Sequence, residues 1–168
     1  MKIIWDERSI AGRVRELGRE ISAYYGEDMV TLVVLANGGL IFGADLARAI
    51  TSPLQWDIMG VHSYSHDQSS GKVNIRAHLK LDPRGRRLLV VDEVLDTGVT
   101  LAAIVKHLLE AGAKEVRTAV LVEKKRPRPG GLAHADWCGA ELPDHYLVGC
   151  GMDSSENCRN LPYVAELD

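Results

Sequence analysis

Val90-Val91-Asp92-Glu93-Val94-Leu95-Asp96-Thr97-Gly98-Val99-Thr100 is the stretch on which the fold turns. Arg87–Val91 is apolar and reads as a strand; residues 99–111 read as a helix, which Gly112 stops. In an open parallel sheet, ligands bind beyond the carboxyl ends of the strands. Two adjacent acids at such an end are poorly placed for packing. They suit the hydroxyls of a ribose, and a nearby magnesium ion would offset their charge. Gly98 lets the backbone turn tightly, Thr97 and Thr100 supply hydroxyls, and the helix start offers free N–H groups. On physical grounds that is a phosphate cradle. An ordinary strand-to-helix turn would instead use Asp96 or Thr97 as N-cap. A bare Asp-Thr-Gly favours the ordinary turn, whereas the whole run, acidic pair included, favours the cradle. It is not a Walker loop, because no Gly-x-x-x-x-Gly-Lys is present.

Working outward, Ile10, Val14, Leu17, Ile21 and Tyr24 fall at helical spacing, so residues 9–25 are predicted as an amphipathic helix with Ser9 as N-cap. Residues 30–36 form a continuous β-branched, apolar run, which suits a strand buried on both faces. Asn37-Gly38-Gly39 reads as a turn, Leu40–Ile50 as a short helix, residues 54–61 as a strand and Val116–Val122 as another. Residues 62–82 are polar and without a clear period, as lids and binding loops often are. This order predicts an α/β fold, a mainly parallel sheet flanked by helices. From Pro127 onward the chain is rich in Pro and Gly, with one short apolar run at Tyr146-Leu147-Val148. That part is expected as a small elaboration over the sheet, so that residues 1–168 form one domain with a core at about 25–125.

With 168 residues, 46% of them hydrophobic and 26% charged, a single well-filled core is the expectation. No apolar run approaches the ~20 residues of a membrane span. Met1–Glu7 lacks the apolar stretch of a secretory leader, so a cytoplasmic location with no membrane partner is expected. Cys138, Cys150 and Cys158 include no Cys-x-x-Cys pair, which argues for three reduced thiols rather than structural zinc. The net charge of −3 gives no overall pull toward nucleic acid.

The 90–100 segment resembles the phosphoribosyl-pyrophosphate signature of type I phosphoribosyltransferases. The resemblance implies that Asp92 and Glu93 hold the ribose hydroxyls, and that Asp96, Thr97, Gly98, Val99 and Thr100 hold the 5′-phosphate. Four further segments resemble the hypoxanthine–guanine branch. Leu35-Ala36-Asn37-Gly38-Gly39 is similar to its pyrophosphate loop, with Asn37 where many members have Lys. An Asn brings no positive charge, so contact there would run mainly through backbone N–H groups. The family's cis peptide would fall at Ala36–Asn37. Ser63-Tyr64, with residues 67–71, resembles the mobile lid. Lys124 resembles the Lys that bonds the purine 6-oxo group.

Residues 143–149, 151–153 and 159–162 complete the likeness. By resemblance Tyr146 stacks on the purine, the Leu147 backbone reads its edge, Asp153 acts near magnesium or the base, and Arg159 contacts pyrophosphate. Cys150 and Ser154 stand where members usually or often carry Tyr. The family implies a hood of C-terminal and N-terminal segments, contributed mainly by residues 126–168. It implies magnesium held by Asp92, Glu93 and Asp153, and a homodimer or homotetramer. It also implies transfer of the 5-phosphoribosyl group from phosphoribosyl pyrophosphate to N9 of a 6-oxopurine, hypoxanthine or guanine, with Asp96 as general base. Two alternatives stay open beside it. One is a relative preferring xanthine. The other is a phosphoribosyl-pyrophosphate-sensing regulator that binds nucleic acid through Arg84-Gly85-Arg86-Arg87 and residues 124–128. The negative net charge and the lack of a helix-turn-helix module weigh against the regulator.

Overall fold

The computed structural model describes residues 1–62, 74–77 and 79–167. The main sheet is built on β2 (Val30–Ala36), an apolar strand whose side chains are buried on both faces. Beside it lie β3 (Leu54–His62) and β5 (Arg87–Leu95), then β6 (Glu115–Lys124) and β7 (Trp137–Leu142). These five strands are parallel. β4 (Asn74–Ala77) pairs antiparallel with β3 at one edge, so the segment expected as loop contains a short strand.

Alternate residues of β2 feed two cores. Leu32 and Val34 pack with Leu17 and Ile21 of α1 (Glu7–Tyr25), and with Phe42 and Leu46 of α2 (Gly39–Ala49). Val33 and Leu35 pack with Leu101, Ile104 and Leu108 of α3 (Val99–Glu110) on the other face. Helices on both faces are what a buried parallel sheet requires. Among the described residues no helix is long and apolar enough to cross a membrane.

Three expectations are corrected. First, α1 is capped by Asp6, not Ser9. The Asp6 carboxylate accepts from the Ser9 N–H at 3.0 Å and from the Ser9 hydroxyl at 2.7 Å, so Ser9 sits inside the first turn. Second, β5 does not stop at Val91. Its ladder with β6 runs on through Asp92↔Val120 to Leu95↔Glu123, which puts the acidic pair inside the strand. Third, besides β4, three short strands emerge that periodicity does not mark.

One of these strands, β7, comes from the segment expected over the sheet and is instead its sixth strand. Arg13 of α1 donates to the carbonyls of Cys138 and Gly139 on it, at 3.0 and 3.1 Å. The other two, β1 (Lys2–Trp5) and β9 (Val164–Glu166), join β8 (Leu147–Val148) in a separate antiparallel sheet of order β1-β9-β8. Both chain ends therefore build the hood.

Candidate active site

At the carboxyl ends of β2 and β5 lies an open cavity of about 940 Å³, whose wall includes Asn37, Gly38, Asp92, Glu93, Asp96 and Arg159. Its floor is the acidic pair. One Asp92 oxygen accepts from the Glu93 N–H at 3.0 Å. Burial, with the Glu93 charge beside it, raises the Asp92 carboxyl well above the usual carboxylate range. Glu93 Oε2 is buried without a hydrogen-bond partner. The 37–39 loop lies directly on these acids: a Cβ on Gly38 would sit 2.0 Å from Glu93 Oε1. The Ala36–Asn37 peptide is cis, as the resemblance implies.

A half-buried carboxylate pair with one buried, unpartnered oxygen suits a hard cation that takes oxygen ligands. Asp153 is engaged differently. One of its oxygens pairs with Arg159 at 2.9 Å and the other accepts from the Glu156 N–H at 2.8 Å. Among the described residues no three His, Cys, Asp or Glu side chains gather into a group that could hold a metal ion. The acids thus fit an ion completed by substrate oxygens, not a cage made of protein alone. Magnesium commonly binds through one or two carboxylates plus phosphates.

The next segment turns the chain into α3. Gly98 takes φ 75° and stands at the N-cap, where it has no side chain to bond the helix start. The Thr97 hydroxyl accepts a long bond from the Val99 N–H at 3.5 Å. Neither Asp96 nor Thr97 serves as the cap of an ordinary turn, and the helix start keeps its attraction for an anion. Thr97 and Thr100 line the cavity with Gly98, and Val99 is exposed.

The Asp96 side chain turns toward the end of β6. It pairs with Arg126 at 2.7 Å and with Lys124 at 3.4 Å. Asp144 closes a four-charge cluster, at 3.5 Å from Arg126 and 3.7 Å from Lys124. Next to this cluster, Tyr146 is 55% exposed, so its ring is open to a stacking partner. Its hydroxyl donates to the Asp153 carbonyl at 3.2 Å. Leu147 is buried and its backbone belongs to β8. Arg159 donates to the Gly151 carbonyl at 2.7 Å and pairs with Glu156 at 3.1 Å. Gly39 lies over the Val91 carbonyl, with room for no side chain. Ser63 and Tyr64 lie outside the described residues.

Five residues escaped the sequence reading: Arg126, Asp144, Glu156 and the buried pair Glu123–Arg128. Taken alone the basic run at 124–128 would be a solvated loop, because the Asp96 carboxylate and carbonyl that Arg126 and Arg128 meet lie 30 and 32 positions earlier. The three cysteines are free. Burial pushes the Cys138 and Cys150 thiols up to about 11, so both stay protonated.

Residues 2–154 match the family described as phosphoribosyl transferase domain. A hypoxanthine-guanine phosphoribosyltransferase of Aquifex aeolicus is 40% identical over 166 residues, covering 98% of this chain and 93% of that protein. Its namesake from Bacillus subtilis is 35% identical over 167 residues, with 99% and 92% covered. The crystal structure of a hypoxanthine-guanine phosphoribosyltransferase from Bacillus anthracis superposes with a TM-score of 0.94 at 27% identity, covering 100% of this chain and 99% of that one. Likeness of this extent in both sequence and backbone, around a cavity floored by an acidic pair and an uncapped helix start, places the chain in the phosphoribosyl transferase domain family, in its hypoxanthine-guanine phosphoribosyltransferase branch.

Proposed function

We propose that the chain transfers the 5-phosphoribosyl group from phosphoribosyl pyrophosphate to N9 of hypoxanthine or guanine, giving IMP or GMP and releasing pyrophosphate. The observation that carries this reading is the junction at Asp96. Its loop leads into the uncapped start of α3, while its carboxylate meets Lys124 and Arg126 on the side of Tyr146. One residue thus stands between a phosphate cradle and a base pocket.

In this mechanism the bond from C1′ to pyrophosphate breaks early and the ribose gains oxocarbenium character. Arg159 and the N–H groups of the 37–39 loop stabilise charge on the leaving pyrophosphate. Asp92 and Glu93 are the residues that would hold magnesium, which when bound supplies further charge neutralisation at the pyrophosphate, whereas Asp153, expected from the resemblance as a third ligand, has both oxygens taken by Arg159 and the Glu156 N–H. Ser63 and Tyr64 belong to the lid that keeps water from the cation. Lys124 donates to the purine 6-oxo group, Tyr146 stacks on the ring, and Leu147 reads its edge. Asp96 accepts the N7 proton as N9 closes on C1′. The purine must therefore displace Arg126 from the Asp96 carboxylate. A cytoplasmic location and a homodimer or homotetramer are part of the reading and rest on the family resemblance. The basic segments give the regulator reading little support, since Arg84 pairs with Asp82, Arg87 with Glu115, and Arg126 and Arg128 with Asp96 and Glu123.

The test is nucleotide formation from phosphoribosyl pyrophosphate and magnesium with hypoxanthine, guanine, xanthine and adenine in turn. Hypoxanthine and guanine are expected to react, adenine to fail, and excess EDTA to abolish turnover. No product from any of the four bases overturns the reading. Product from xanthine alone moves the chain to the xanthine-preferring alternative. Within the same assay, Lys124→Ala removes a charged hydrogen bond to the base, worth about 1.5–3 kcal/mol. It is expected to raise the purine KM roughly 10- to 100-fold, and an unchanged KM removes Lys124 from that role.

A further inference from the structure

Arg128 and Glu123 are buried together, each with a side chain 5% exposed, and the mechanism above uses neither. A buried ion pair is costly unless its remaining donors and acceptors are satisfied. Here the guanidinium is saturated. Nε donates to the Asp96 carbonyl at 2.8 Å. One terminal nitrogen donates to the Leu95 carbonyl at 3.2 Å and to the Lys124 carbonyl. The other donates to the Ala133 carbonyl at 2.9 Å and meets Glu123 Oε1 at 3.3 Å. Glu123 is anchored in turn by His134 Nδ1 at 2.6 Å and by the Ala135 N–H at 3.4 Å.

The identity of those carbonyls matters. The last rung between β5 and β6 is Leu95↔Glu123. Asp96 and Lys124 each stand one residue beyond it, where the ladder no longer fixes their separation. Arg128 spans that gap, holding the backbone of both. It also holds Ala133, whose neighbour Leu132 donates its N–H to the Gly98 carbonyl at 2.9 Å. One planar fork thus ties the phosphate loop, the end of β6 and the segment packed beneath the loop.

We infer that Arg128 is a positioning residue: it sets the distance between the phosphate-binding loop and the purine-reading end of β6, so that one nucleotide can be gripped at both ends. The inference rests on the roles proposed for Asp96 and Lys124. A Lys at this position keeps the charge but loses the fork. Misplacement of reacting groups by about 1 Å can cost on the order of 10²-fold.

The experiment compares Arg128→Lys, and Arg128→Gln as a second variant so that one failure to fold does not decide it, with the unaltered enzyme. Circular dichroism checks the fold. Calorimetry measures binding of GMP, which spans both halves, and of ribose 5-phosphate, which touches only the loop. GMP affinity is expected to fall about 10- to 100-fold and kcat by a similar factor, while ribose 5-phosphate binding stays within about twofold. Binding of both probes at unaltered strength overturns the inference. Equal weakening of both also overturns it, because that marks general collapse of the loop. If the unaltered chain makes no nucleotide, the proposed function fails instead, and the contrast between the two probes still reads the positioning.

Discussion

Asp96→Asn is expected to leave the chain folded and to lower kcat by about 10²–10⁴-fold, the usual contribution of a general base. The side chain is 43% exposed and caps no helix, so the core does not depend on it. Its ion pairs with Arg126 and Lys124 are partly exposed, and such pairs contribute about 0–1 kcal/mol. The Asp96 carbonyl, which Arg128 holds, is unchanged by the substitution. An amide still fills the same space and accepts a hydrogen bond, but it cannot take up the N7 proton. The measurement is steady-state nucleotide formation at saturating substrates, beside a thermal melt within a few degrees of the unaltered protein. Near-full kcat with an unchanged melt would show that the proton leaves by another route.

Gly98→Ala is expected to damage binding and stability together. Its φ of 75° lies in the left-handed region, where a Cβ costs roughly 1–2 kcal/mol. That Cβ would also lie 2.4 Å from the Leu132 carbonyl oxygen and 2.7 Å from its nitrogen. These are backbone atoms of the packed segment and cannot swing aside as the tip of a side chain does. Overpacking of this kind adds about 1–3 kcal/mol. The total, about 2–5 kcal/mol, corresponds to a melting temperature lower by roughly 5–15 °C for a chain of this size. Because the same residue shapes the start of α3, the KM for phosphoribosyl pyrophosphate is expected to rise at least tenfold, about 1.4 kcal/mol. A melt and a KM both matching the unaltered enzyme would show that the loop tolerates the left-handed alanine and the displaced Leu132.

The parts of this architecture legible in sequence are those where one segment carries its own signal. Val30–Ala36 is apolar enough to declare a strand buried on both faces, and helix α3 follows from its spacing and from Gly112. The 90–100 run concentrates acids, glycine and hydroxyls in eleven consecutive positions, so its chemistry survives without coordinates. What stays hidden depends on distant partners. Trp137-Cys138-Gly139-Ala140-Glu141-Leu142 has no clean alternation and becomes a strand because β6 lies alongside it. β1 and β9 are strands because they pair with each other across almost the whole chain. Asp6 and Ser9 are both good caps three residues apart, so composition alone does not choose between them. Arg126 and Arg128 look solvated until the fold brings them to Asp96, 30 and 32 positions earlier.

The order of strands in the hood has a consequence for how the protein is made. β9 is synthesised after both β1 and β8, yet it lies between them in its sheet. Leu167 adds a bond from its N–H to the Tyr146 carbonyl at 3.0 Å. A chain emerging from the ribosome at about 5–20 residues per second brings out every strand of the main sheet, with the loop at 96–98, before β9. Tyr146 and Leu147 must wait for β9 and Leu167. A chain truncated near residue 160 would therefore keep every strand of the main sheet and lack the central strand of the hood.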